Sequence, residues 1–259
     1  MHRVLSGIIG AVLVGTSVLA GTGEWISKVD NFTPSHGLQS KVASDMNGNG
    51  YLAINQPLWG SSKVYVVKNG PEGEWLWRTT IKGATANALQ VDSAGQIFLS
   101  GELYSGAQFG ETSLPNEEGN NVYVARLNSD GLFQSAFRLG GTGYVIRPLL
   151  ALTDSDDLII AGTSYHTVSF GTNSFVSAAQ GSAFIARYSK AGELRWVRAI
   201  HPTGRHSYAT TESVGVDQDG NAWVAGHFRG SYMQLEQKVI YSYTAQTGFL
   251  AKYSPEGDL

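Results

Sequence analysis

The chain contains no cysteine. That removes disulfide frameworks, thiolate nucleophiles and cysteine metal sites, along with a lipid-bearing cysteine behind a leader. Charge is scarce as well: Asp, Glu, Lys and Arg make up 15% of the residues, and the formal net charge is -3. Nucleic-acid binding needs a basic patch to neutralise phosphates, and the chain has none. No basic amphipathic stretch argues for a membrane surface. The sequence also lacks a serine nucleophile elbow, H-E-x-x-H, a P-loop and a G-x-G-x-x-G that opens a helix. His201, His206 and His227 are too loosely spaced for a metal signature. No catalytic residue and no metal ligand set is therefore assigned.

Glycine is abundant, with 32 residues, which suits a chain of many tight turns. The N-terminus reads as an export leader. Met1, His2 and Arg3 form a short positive start, Val4 to Leu19 is apolar and small, and Val18-Leu19-Ala20 is a small-residue cleavage site. The apolar stretch is shorter than the roughly 20 residues of a spanning helix. Residues 1–20 are thus expected to be a signal peptide and 21–259 a single domain. The expected location is periplasmic or extracellular, in a bacterium, with no membrane insertion once the leader is removed.

The remainder repeats. LQVDSAGQIFLSG (Leu89–Gly101) recurs as ALTDSDDLIIAG (Ala151–Gly162) and VGVDQDGNAWVAG (Val214–Gly226), with a degenerate copy ASDMNGNGYLAI (Ala43–Ile54). A second phrase follows each: YVVKNGPEGEW from Tyr65, YVARLNSDGLF from Tyr123, FIARYSKAGEL from Phe184 and FLAKYSPEGDL from Phe249. Asp92 and Asp154 are 62 positions apart, Asp154 and Asp217 are 63, and Asp45 and Asp92 are 47. Each unit holds four short apolar runs with period-2 alternation, which is the strand signature. Four strands per repeat of this length predict an all-β propeller of four-stranded blades. The units fall at about 42–82, 83–141, 142–200 and 201–259, which gives four blades. The last unit stops where a fourth strand should begin, and Trp25 to Val29, within 23–29, is expected to close the ring by pairing with it.

These residues resemble the bacterial β-propeller repeat family labelled SBBP. The resemblance rests on Asp217, Gly220, Asn221 and Gly226, on Phe184, Ala186, Arg187, Tyr188, Gly192 and Trp196, and on Phe109-Gly110 and Phe170-Gly171. Ile54, Met233-Gln234, Ser135 and Ser27 depart from it. The resemblance implies a propeller in an exported bacterial protein. It implies no shared reaction, because propellers host many functions.

The first and third turns of each unit are tight, while the second and fourth connections are longer. In an up-and-down blade this separates a short-turn face from a long-loop face, and binding residues concentrate on loops. The recurring Asp45, Asp92, Asp154 and Asp217, and the basic Lys68, Arg126, Arg187 and Lys252, are expected to serve turn hydrogen bonds and ion pairs. The loops after Asp45 and Asp217 resemble short calcium sites, but the acid expected later in the loop is missing after Asp45, where Ala53 stands. No cofactor is therefore expected, with calcium as the exception to examine. Trp25, Trp75, Trp77, Trp196 and Trp223 alternate along strands and are expected to pack between blades.

Tyr104, Tyr144, Tyr165, Tyr208, Tyr232, Tyr241 and Tyr243 fall near the long-loop face. Tyr144, Arg147, Arg205, His206 and Tyr208 are the candidate binding residues, for a glycan or an envelope or extracellular protein. The expected function is a non-catalytic binding module. One alternative is a propeller enzyme (quinoprotein-like, a lyase, or a glycoside hydrolase using carboxylates such as Glu102, Glu111 and Asp156). Another is a structural segment of a longer surface protein.

Overall fold

The computed structural model describes residues 14–17, 26–29, 40–56, 62–104, 106–115, 121–140, 143–170, 173–177, 180–242 and 246–259. Among them every regular element is a strand, and no helix is long and apolar enough to cross a membrane. Of the expected signal peptide only 14–17 is described; the rest of that reading lies outside the described residues.

Two short strands, β1 (Val14–Ser17) and β2 (Ile26–Val29), form a hairpin. Four antiparallel sheets follow in chain order. Sheet 1 holds β3 (Ser40–Ser44), β4 (Gly50–Gln56), β5 (Lys63–Asn69) and β6 (Trp75–Lys82). Sheet 2 holds β7 (Ala88–Val91), β8 (Ile97–Leu103), β11 (Asn121–Leu127) and β12 (Phe133–Leu139), and its middle connection carries the hairpin β9 (Ala107–Phe109) and β10 (Thr112–Leu114). Sheet 3 holds β13 (Tyr144–Leu152), β14 (Leu158–Tyr165), β17 (Ser182–Tyr188) and β18 (Leu194–Thr203), with the hairpin β15 (Thr167–Phe170) and β16 (Asn173–Val176). Sheet 4 holds β19 (Tyr208–Val216), β20 (Ala222–Arg229) and β23 (Thr247–Tyr253). Its hairpin, β21 (Tyr232–Leu235) and β22 (Lys238–Tyr241), adds to the outer edge of sheet 3 by pairing β21 with β18. None of the sheets closes into a barrel; the arrangement is propeller-like.

Strand alternation explains how the sheets stack. Side chains at successive positions point to opposite faces. In β8, Ile97 and Leu99 enter a core shared with sheet 1, and Phe98 enters a core shared with sheet 3. In β14, Leu158 and Ile160 face sheet 2 while Ile159 and Ala161 face sheet 4. Sheets 2 and 3 are therefore buried on both faces, and their strands read as near-continuous apolar runs. Sheet 4 has an open face: Leu250 is 62% exposed, whereas its counterparts Val66 and Ile185 are fully buried.

The middle hairpins lean on the preceding sheet. β9 packs against β6, Ser169 of β15 bridges to Gly140 after β12, and β21 joins β18. Phe109, Phe170 and Leu235 occupy the same place in the three hairpins, each closing the pair with the residue three positions on, and all are buried. The departure from the repeat is therefore at Leu235-Glu236 rather than at Met233-Gln234: Leu235 fills the apolar role, and Glu236, at φ 51°, takes the left-handed place that Gly110 holds at φ 60°. Burying such a side chain contributes about 1.5–3 kcal/mol.

Two expectations need correction. In the unprocessed chain Ile26–Val29 does not complete sheet 4: it pairs with β1, and among the described residues no strand lies on the outer edge of β23; Trp25 lies outside the described residues. The physical reason is chain entropy: β1 is a neighbour in sequence, and bringing together distant segments costs more. Asp154 is not the counterpart of Asp92 and Asp217. Thr153 is, since its N–H donates to the Asp157 carbonyl as those of Asp92 and Asp217 donate to Gln96 and Asn221. The Thr153 hydroxyl supplies the acceptor that the turn requires.

Candidate functional site

The short-turn face is built from one motif used eight times. In every first and third turn, the N–H of the first residue donates to the carbonyl of the fifth, and the N–H of the fourth donates back to the first carbonyl. The fourth residue is left-handed, and is glycine in all but one turn; the exception is Asp156 at φ 62°.

Asp45, Asp92 and Asp217 begin first turns and spend both carboxylate oxygens on donors. Asp45 accepts from the Asn47 and Asn49 N–H groups, the Asn49 amide and the Tyr51 hydroxyl. Asp217 accepts from the Asp219 and Asn221 N–H groups, the Asn221 amide and the Trp223 indole, with Lys252 at 3.0 Å. Burial alone would raise the Asp217 pKa, but these hydrogen bonds hold it well below the usual carboxylate range. Oxygens that face N–H and O–H donors do not make a calcium cage. Among the described residues no cluster of three or more His, Asp or Glu side chains is arranged for a metal.

The third-strand cations link one sheet to the next. Lys68 donates to the Ser129 carbonyl, Arg126 to that of Lys190, and Arg187 to those of Pro255 and Gly220. Arg187 also pairs with Asp157 at 2.9 Å, with both side chains largely buried. The Lys190 ammonium bridges Asp156 and Asp92, 2.6 and 3.3 Å away. The charges that recur in the sequence thus hold the scaffold together.

The long-loop face is less regular. Three copies use the residue one position after the second-strand Gly/Ile to accept an N–H from the next unit's first strand or the residues just before it. Asn55 accepts from Ala86, Glu102 from Arg147, and Thr163 from Thr211. The fourth such residue is His227. Both its ring nitrogens lie 3.1 Å from the Thr210 hydroxyl, and its Nδ1 lies 3.6 Å from Glu212.

Two neighbouring first strands bulge at matching places. β13 loses register between Ile146 and Leu149, and β19 between Thr211 and Ser213. Arg147, left-handed at φ 51°, sits in the first bulge and Glu212 in the second. A bulge re-aims a side chain out of the ladder. The Arg147 guanidinium comes within 3.9 Å of Glu212, and both side chains are well exposed. Glu212 also lines a cavity of about 240 Å³ whose other walls are Lys41 and Val42 of β3, 87–90 at β7, and Leu149 and Leu150 of β13. The first strands of all four sheets therefore meet around one cavity.

Aromatic rings stand on the same long-loop face, at the ends of β13, β14 and β19. Tyr144 stacks on Tyr165 at 4.7 Å and 21°, with His166 edge-on. Burial raises the Tyr165 pKa, Tyr144 and Tyr208 add to the rise, and Arg147 opposes it. Of these, Tyr144 is in direct ring contact with Tyr165, while Arg147 and Tyr208 act on its phenol through space. Tyr208 lies edge-on to His227, and its hydroxyl accepts a hydrogen bond from Gln246. His206 reaches the group through Gln180, whose neighbour Gly181 passes against the Tyr165 ring. Arg205 is exposed on the same turn as His206.

Four of the five candidate residues are thus linked, through Tyr165, which the sequence already placed near this face, and through Glu212 and His227, which it did not assign to the site. Tyr232 and Tyr241 lie on the β21–β22 hairpin and face each other. Tyr243 lies outside the described residues. Glu102, Glu111 and Asp156 are not assembled into a pair: Glu102 contacts Arg147, Glu111 sits at the tip of the β9–β10 hairpin, and Asp156 binds Lys190.

No family model matches the chain. Over 120 residues, 42% of the chain, it is 26% identical to an uncharacterised WD repeat-containing protein of Acanthamoeba polyphaga mimivirus, and it spans 9% of that protein. A solved chimera of ACO and RPE65 aligns over 95% of the chain and 57% of its own, with TM-score 0.39 and 11% identity. Cobalt-substituted ACO, the apocarotenoid oxygenase of Synechocystis, aligns over 86% and 51%, with TM-score 0.40 and 12% identity. The chain spans about half the length of these structures. At such scores neither likeness bears on chemistry.

Proposed function

We propose that the chain is an exported four-bladed propeller of the SBBP-repeat type, and that it acts as a non-catalytic binding module whose ligand docks on the long-loop face. The observation that carries this reading is the pair of bulges that turn Arg147 and Glu212 toward each other beside stacked Tyr144 and Tyr165. Bulges are over-represented beside working sites, and these two lie on the first strands, apart from the scaffold bulges that recur at Lys68/Asn69, Arg126/Leu127 and Arg187/Tyr188. Four blades are supported by the repeated turn motif and by the single cavity that four first strands line. Export is supported by the apolar segment that follows Arg3 and ends at Ala20.

The test replaces Tyr144, Arg147 and Tyr208 with alanine together and measures binding to a panel of glycans and envelope proteins. Loss of a ligand bound by the parent protein is expected. Unchanged binding by a folded triple variant would remove the long-loop face from consideration. N-terminal sequencing of protein recovered from a secretion-competent bacterial host tests export, and processing after Ala20 is the expected result.

A further inference from the structure

We infer that the ligand of this face is an uncharged saccharide whose terminal ring enters the mouth of the central cavity between Arg147 and Glu212. This rests on the reading of the long-loop face as a binding face and commits it to one ligand class.

Charge comes first. Glu102 and Glu212 contribute two negative charges around the mouth, Arg147 and the cavity-lining Lys41 contribute two positive, and Arg205 stands on an adjacent turn. The mouth is close to neutral, so it offers no field to capture a phosphate, sulfate or uronate.

Hydrogen-bonding capacity is the second argument. Each sugar hydroxyl both donates and accepts. The mouth alternates the two roles: Arg147 donates, Glu212 accepts, and the Tyr165, Tyr208 and Thr210 hydroxyls do either. A planar carboxylate beside a planar guanidinium matches two adjacent hydroxyls. Arg147 and Glu212 are 3.9 Å apart, beyond a direct hydrogen bond, so neither is locked by the other.

Shape is the third. The stacked Tyr144 and Tyr165 form a flat shelf suited to the apolar face of a pyranose. The cavity, about 240 Å³, is smaller than the usual pocket for a drug-sized ligand and suits one terminal ring. Tyrosine and arginine also anchor protein partners, so capture of a protein through this face is one of the outcomes tested below. The exposed aliphatic side chains Leu76, Leu132, Val176, Val239 and Leu250 lie on other strands and turns.

The experiment applies the full chain to immobilised oligosaccharides of three kinds: neutral hexose and N-acetylhexosamine chains, uronate-containing chains, and sialylated chains. Glu212→Gln and Tyr144→Ala are run beside the parent, and Leu250→Ser on the distant open face serves as control. Binding to neutral chains, weakened at least ten-fold by Glu212→Gln and by Tyr144→Ala and unchanged by Leu250→Ser, is expected. Binding only to the acidic chains, still lost in Tyr144→Ala, would overturn the uncharged class and leave the binding face standing. Neutral binding that neither variant weakens would overturn the site itself. Absence of all glycan binding, with a protein ligand captured through Tyr144, would overturn the saccharide class.

Discussion

The indole N–H of Trp77 donates a 2.9 Å hydrogen bond to the carbonyl oxygen of Ser129, in a turn of the next sheet. Trp196 repeats the contact at 2.9 Å with Pro255. Trp196→Phe keeps most of the packing and removes the donor. It should lower unfolding free energy by about 1 kcal/mol, read from the urea midpoint at constant slope. Trp196→Ala also leaves a cavity and should cost about 3–5 kcal/mol.

The turn that receives Trp196 predicts a contrast between two glycines. Gly220 and Gly257 both hold the left-handed fourth position, at φ 77° and 89°. A Cβ at Gly220 would meet only Pro255 at 3.9 Å, whereas one at Gly257 would strike the Trp196 ring at 2.8 Å. Gly220→Ala should cost about 1–2 kcal/mol for backbone strain alone. Gly257→Ala should cost clearly more, since the indole must move as well. Equal losses in paired denaturation curves would count against the close approach.

Asp217 sets an acid limit on stability. Despite the opposing effect of burial, hydrogen bonds from Trp223, Lys252 and Asn221 hold its folded pKa below the unfolded value of about 3.9. The unfolded chain therefore binds the extra proton, and this contribution is full above pH 4 and lost as pH falls through the folded value. Asp217→Asn should be less stable than the parent at pH 7. The gap should narrow as pH drops below about 4, as followed by urea midpoints across a pH series.

The Arg187–Asp157 pair is mostly withdrawn from water, with side-chain exposures of 9% and 19%. Asp157→Leu strands a buried guanidinium and should cost about 3 kcal/mol. Adding Arg187→Met removes the stranded charge, so the double variant should be more stable than Asp157→Leu alone. A double variant that is less stable than the single would show that the carbonyl contacts of Arg187 at Gly220 and Pro255 dominate.

The turns were the most legible part of the fold. An Asp followed three positions later by Gly states both the side-chain acceptor and the left-handed backbone that the motif needs, as Asp217 and Gly220 show. Thr153 was misread because identity matching favoured the adjacent Asp154, whereas the turn asks only for a side-chain oxygen at the right register. The destination of Trp25 to Val29 was not legible: a repeat pattern says what a segment resembles, but pairing depends on which edges lie near. At the candidate site, Tyr144, Arg147, His206 and Tyr208 stood out as polar or aromatic residues in long loops. Glu212 did not, because a bulge converts an in-line strand residue into an aimed one and leaves no mark on composition. His227 was hidden for the opposite reason, since Asn55, Glu102 and Thr163 hold its place in other copies and serve the scaffold.

Sheet 3 reaches both ways: its middle hairpin leans back on sheet 2, while Arg187 and Trp196 grip the Pro255 turn of sheet 4, and sheets 1, 2 and 4 each show part of this pattern. Overlap of this kind couples neighbours more tightly than simple stacking does. In a linear repeat array, terminal units fray and melt independently when nearest-neighbour terms are weak. Here, loosening one sheet exposes the hairpin seat of the next and frees the carbonyls that its neighbour had engaged. Denaturation should therefore proceed as one cooperative transition with a slope set by the whole domain, and the loops of the long-loop face stay free to vary without unseating the sheets beneath them.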